Sequence, residues 1–124
     1  MKKSLFPLGE TEMEILHHVW KLEKATVGEV HDLILQKRKT AYTTIMTIMK
    51  NLYGKGYLTY EKKGVTYVYS PAIKPDEVKQ NLLKSVLNKV FEGSPTALVQ
   101  ALAENEKLTG EDREAIEKMI QKMK

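Results

Sequence analysis

Residues 41–58, AYTTIMTIMKNLYGKGYL, leave this chain few folds to choose from. Ile45, Ile48, Met49 and Leu52 recur at i, i+3, i+4 and i+7, the spacing that puts side chains on one face of a helix. Thr40 or the residue after it can open that helix, and Gly54 and Gly56 stop it. At about 100° per residue, Thr43, Met46, Thr47 and Lys50 point away from the apolar stripe. Thr44 and Asn51 lie on one margin of that far face, Tyr42 and Tyr53 on the other. The stretch has no acidic side chain. It must lie on a core by one face, and its other face suits a polyanion.

The distribution of charge supports that reading. Residues 1–73 hold 11 Lys and Arg against 7 Asp and Glu, whereas residues 74–124 hold 9 against 9, so the whole net charge of +4 is N-terminal. Between Lys37 and Lys63 stand Lys37, Arg38, Lys39, Lys50, Lys55, Lys62 and Lys63, with Glu61 as the one acid. A cluster of this kind is a polyanion-binding distribution, the alternative for charge taken alone being a solvated basic surface.

Taken in order, the chain builds a small domain around that helix. Met13, Leu16, Val19 and Trp20 repeat at helical spacing, predicting a core helix over about 10–22 behind Gly9 and an acidic first turn. His17 and His18 are adjacent in it, so they point about 100° apart and cannot chelate one metal from a regular helix. Residues 23–25 read as a polar break. Thr26 with Glu29 then fits the S/T-x-x-E capping box, and Val27, Val30, Leu33 and Ile34 give a second helix its buried face. Beyond the third helix, residues 57–62 and 65–70 are rich in Tyr, Thr and Val around Lys63 and Gly64, which reads as a two-stranded hairpin with a basic tip at 62–64. Tyr57, Tyr67 and Tyr69 are expected in core and sheet packing. Three helices and a hairpin are the order of a winged helix-turn-helix, in which the third helix enters the major groove and the hairpin reaches the backbone beside it.

From Pro71 to Pro75 the pattern is a rigid connection, and beyond it purely helical. A helix over about 76–91 carries Leu82, Leu83, Val86, Leu87, Val90 and Phe91 beside Val78, a stripe too wide for one neighbouring helix to cover. Ser94 and Pro95 open a second helix with Leu98, Val99 and Leu102, and Thr109 with Asp112 caps a third bearing Ile116, Met119, Ile120 and Met123. Three helices in about 50 residues bury too little surface alone, and a second copy is the simplest cover. The dimer contacts are expected at Leu82, Leu83, Val86, Leu87, Val90, Phe91, Leu98, Leu102, Ile116 and Ile120. The fold class is therefore mainly α with a small β-hairpin: a winged helix-turn-helix domain over 1–73 and a three-helix dimerisation domain over 74–124.

Several classes are excluded or disfavoured. With no cysteine there is no disulfide, thiolate metal site or cysteine nucleophile. No apolar run is long enough to cross a bilayer, and MKKSLFPLGE lacks the apolar stretch of a signal peptide, so a cytoplasmic protein without membrane insertion is expected. No Gly-rich phosphate loop, metal-ligand cluster or nucleophile–base constellation appears, so neither enzyme activity nor a cofactor is expected. The competing reading is a winged-helix module that binds protein without specific DNA binding, which needs an exposed apolar patch on the third helix or the wing.

LGETEMEILHHVW, AYTTIMTIMKNLYGKGYL, GVTYVYSP and VFEGSPTALVQALAE together resemble the penicillinase-repressor (BlaI/MecI) family of bacterial transcriptional regulators. The resemblance covers nearly the whole chain. It implies a dimeric repressor on a two-fold DNA operator, with Tyr42, Thr43, Thr44 and Thr47 as recognition-helix contacts and Lys50 on the backbone. Taken with the charge pattern, this assigns Lys39, Lys50, Lys55, Lys62 and Lys63 to phosphates and leaves Met46 for apolar contact with bases. The resemblance also brings in a membrane sensor or protease upstream, which in some members triggers cleavage at an Asn-Phe pair. The corresponding residues here are Gln100 and Ala101, against induction by cleavage. Copper-responsive members use C-terminal cysteines, and this chain has none. Val65 stands where many relatives carry Arg, which leaves Lys62 and Lys63 to supply the wing's phosphate contact.

Overall fold

The computed structural model describes residues 8–105 and 109–123. They form α1 (Glu10–Leu22), β1 (Ala25–Thr26), α2 (Val27–Leu35), α3 (Tyr42–Gly54), β2 (Leu58–Lys63), β3 (Thr66–Pro71), α4 (Pro75–Val90), α5 (Pro95–Ala103) and α6 (Gly110–Met123). Two compact units result, Met1–Gln80 and Asn81–Lys124. The sequence boundary at 73/74 thus differs from the observed division, which falls inside α4. Val78 is buried and the Lys79 ammonium lies 5.8 Å from the Trp20 ring centroid, so the first turn of α4 is tied to the first unit.

In that unit the helices form where local chemistry favours them. Gly9 N–H donates to Glu12 Oε1 at 2.8 Å and opens α1. At α2 the capping box is complete: Thr26 N–H donates to Glu29 Oε1 at 2.9 Å, and Glu29 N–H donates to Thr26 Oγ1 at 3.2 Å. α3 begins differently, with Ala41 as N-cap and no side-chain cap. It ends before Gly56, whose φ of +88° is a left-handed conformation that suits glycine.

Three helix faces meet in one core. Ile15, Leu16 and Val19 of α1, Val30 and Ile34 of α2, and Ile45, Met49 and Leu52 of α3 have no exposed surface. Ile48 is only half-buried and sits at the margin of its stripe. Leu58 and Tyr69 close the core from the sheet, and burial pushes the Tyr69 phenol pKa up. Met49→Ala removes a fully buried side chain and is expected to cost about 2–5 kcal/mol in a urea unfolding titration.

The sheet corrects one sequence reading. It has three strands in the order β1-β3-β2, because Ala25 and Thr26 pair antiparallel with Tyr69 and Val68. A two-residue strand has no period-2 pattern to detect, so residues 23–25 read as a break. β2 and β3 also run one residue later than the alternation suggested, with Tyr60 opposite Tyr69 and Lys62 opposite Tyr67. The β2–β3 turn is Gly64-Val65, with Gly64 at φ +63°.

The second unit is built differently. Ser94 Oγ accepts from Ala97 N–H at 3.1 Å with Pro95 following, and Thr109 Oγ1 accepts from Asp112 N–H at 3.0 Å. α5 and α6 pack on one another. Among the described side chains from 81 onward none is buried, and Leu83 and Val90 are 45% and 49% exposed. The side chains of Ile116, Met119, Ile120 and Met123 lie outside the described part of the structure.

Candidate nucleic-acid interface

α3 places its apolar stripe in the core and leaves Thr43, Thr44, Thr47 and Lys50 exposed. Tyr42, the first residue of the helix, is 48% exposed. Met46 departs from its expected place on the outermost face. It is half-buried and turns toward the hairpin, where it lines a cleft of about 390 Å³ with Tyr42, Lys50, Thr66, Tyr67 and Tyr69. Thr26, Val27 and Val65 complete the walls. The third helix and the wing are thus two sides of one open groove.

The wing is stiffened by aromatic rings. Tyr60 stacks on Tyr67 with centroids 4.7 Å apart and planes 4° from parallel, and Tyr53 at the end of α3 meets Tyr60 at 4.9 Å. These contacts tie the hairpin to the helix it flanks. The Lys62 ammonium lies 5.7 Å from the Tyr67 centroid, and Lys63 stands opposite Thr66 at the tip. Val65 between them is 95% exposed.

Acids from α1 engage two of the seven cations, both of them exposed. Arg38 donates to both carboxylate oxygens of Glu14, at 2.6 and 3.0 Å, and Lys55 donates to both oxygens of Glu12, at 3.0 and 2.8 Å. The Arg38 guanidinium holds the Glu14 carboxyl below its usual pKa. Burial pushes Glu12 up, but the Gly9 N–H and Lys55 outweigh it and leave that carboxyl lowered too. Among the described residues, Lys39, Lys50, Lys62 and Lys63 make no ion pair. Lys39 sits exposed in the α2–α3 turn, whereas Lys55, at the far end of α3, is engaged within its own unit.

Three groups around this surface escaped the sequence reading. Tyr67 lines the groove with Tyr69 because β3 presents alternate residues to α3, and Thr66 joins the lining from the turn end of the strand, which spacing alone leaves open. His31 on α2 reaches the turn before α3, its Nε2–H donating to the Thr40 carbonyl. No sequence signal marks that contact, which joins two elements across a turn. Among the described residues no cluster of His, Asp and Glu is arranged to hold a metal, and no helix is long and apolar enough to cross a membrane.

Comparison with known proteins matches this geometry. A family model described as penicillinase repressor covers residues 8–122. The chain is 24% identical over 122 residues to the methicillin resistance regulatory protein MecI of Mammaliicoccus sciuri, covering 98% of this chain and 99% of that protein. It is 25% identical over 122 residues to the penicillinase repressor of Bacillus licheniformis, covering 98% and 95%. The solution structure of the DNA-binding domain of the repressor BlaI superposes with a TM-score of 0.52 at 26% identity, covering 61% of this chain and 93% of that domain.

Proposed function

The chain belongs to the penicillinase repressor family, whose members are DNA-binding transcriptional repressors rather than enzymes, and we propose that it represses as a homodimer on a two-fold operator. The observation that carries this reading is the acid-free outer row of α3, Thr43, Thr47 and Lys50, beside a wing whose Lys62 and Lys63 make no ion pair among the described residues. In this assignment α3 lies in the major groove. Thr43, Thr44, Thr47 and Tyr42 face base edges, and the threonine hydroxyls and methyls suit A·T-containing half-sites. Met46, at the groove wall, offers apolar contact at the edge of that footprint. Lys39, Lys50, Lys62 and Lys63 neutralise phosphates and set the register. Lys55 joins them only by exchanging Glu12 for a phosphate.

What supports a dimer is the second unit's lack of a buried side chain among those described, with Leu83 and Val90 exposed one heptad apart on α4. Leu82, Val86, Leu87, Phe91 and Leu98 are half-buried and Leu102 is exposed, which is the state of an apolar surface awaiting a cover. The first unit would read DNA and the second would join two copies, in the cytoplasm. The protein-interaction alternative needs an exposed apolar patch on α3 or the wing; the outer row of α3 is threonine and lysine, and the wing tip sets the single exposed Val65 beside Lys62 and Lys63.

Footprinting on the DNA upstream of the chain's own gene tests the reading. Protection of two half-sites related by a two-fold axis and centred about one helical turn or a multiple apart is expected. Uniform, sequence-independent protection would overturn it.

A further inference from the structure

Tyr42 is an exposed aromatic at the first turn of a helix that lacks a side-chain cap, so its direction must be fixed from elsewhere. Ala41, the N-cap, accepts through its carbonyl from Thr44 and Ile45 N–H at 3.1 and 3.4 Å but offers no side-chain bond of its own. The fixing group in the structure is His31 of α2. Its Nε2–H donates to the Thr40 carbonyl, one residue before that N-cap. Its ring also meets Tyr42 edge to face, with centroids 5.7 Å apart and planes at 89°. One side chain thus holds both the turn and the first ring of the reading helix. Histidine suits the task because its donor lies at the far end of a rigid plane that can also pack against an aromatic.

We propose that His31 is a positioning residue for sequence discrimination: it clamps the α2–α3 turn and orients Tyr42 toward DNA without itself touching DNA. This rests on the assignment of α3 as the reading helix. Phosphate contacts from Lys39, Lys50, Lys62 and Lys63 supply affinity on any sequence, while a base-facing ring contributes only when held in one direction. Loss of His31 therefore separates discrimination from affinity.

The test compares the full-length chain with His31→Ala, Tyr42→Ala, their double variant and His31→Gln. Each is titrated with a duplex carrying the footprinted site and with a scrambled duplex of equal length, and amide exchange is followed without DNA. Gln keeps an N–H for Thr40 but lacks the ring, so it covers the case in which Ala unfolds the domain. His31→Ala is expected to lower the ratio of specific to scrambled affinity about tenfold, the worth of one base contact. Scrambled binding should change by about twofold or less. Exchange at Thr44 and Ile45 should accelerate in His31→Ala and stay slow in His31→Gln, which nonetheless loses part of the ratio. Adding Tyr42→Ala to His31→Ala should cost little more. Equal weakening on both duplexes, additive losses, or unchanged exchange at Thr44 and Ile45 would each overturn the proposal. An unaltered chain that does not prefer its site would overturn the operator reading and this role with it, whereas an unchanged ratio in His31→Ala beside a selective parent would overturn this role alone.

Discussion

Replacing Lys50 and Lys63 together by alanine is expected to flatten the salt dependence of operator binding and to weaken it about a thousandfold at about 0.15 M salt. Each lysine that neutralises a phosphate releases condensed counterions, contributing about −0.9 to the slope of log K against log salt. A dimer carries the pair twice, so four phosphates are lost and the slope becomes shallower by about 3.6. The two residues sit on different elements, Lys50 on α3 and Lys63 at the wing tip, and neither makes an ion pair among the described residues. Their removal costs the fold little. Fluorescence anisotropy across a salt series reads both slope and affinity, and an affinity indifferent to salt and to this pair would rule out the phosphate assignment.

Val90→Asp is expected to give folded monomers that bind the operator at least about a hundredfold more weakly. Val90 is 49% exposed in the single chain, so a carboxylate there leaves the protomer solvated. Buried in a dimer, the same charge would be taken out of water without a partner. Two winged helices joined at a fixed distance make the second binding event intramolecular, which is worth about 10² to 10⁴ in apparent affinity. Leu87→Asp should act in the same direction from the half-buried side of the stripe. Sedimentation velocity measures the mass and a gel shift the affinity. Monomers that retain full operator affinity would sink the bivalent mechanism while leaving the winged helix intact.

Much of the fold was written locally. The α1 boundaries, the start of α2 at the Thr26–Glu29 capping box and the Ser94 cap follow from side chains within a few residues of the bonds they make, so spacing suffices to find them. The buried stripe of α3 was legible for the same reason, apart from Ile48 at its margin. What escaped were contacts between residues distant in sequence. β1 forms because β3 lies beside it, and Lys55 meets Glu12 across 43 positions. Met46 belongs to the groove because the hairpin stands against α3, which a helical wheel does not contain.

By itself, the sequence determined the helices and the hairpin, the core faces of α2 and α3, the Leu16–Val19 part of the α1 face and the surplus of positive charge around α3, because periodicity, capping and composition are local properties. β1 and the burial of Ile15 in place of Met13 and Trp20 came only with the fold. Only the tertiary structure decided which cations that surface presents. Glu12 and Glu14 of α1 hold Lys55 and Arg38, leaving Lys37, Lys39, Lys50, Lys62 and Lys63 without an ion pair among the described residues. Charge counting along a chain treats all seven basic residues alike, whereas an ion pair depends on distance in space, and folding sets that distance.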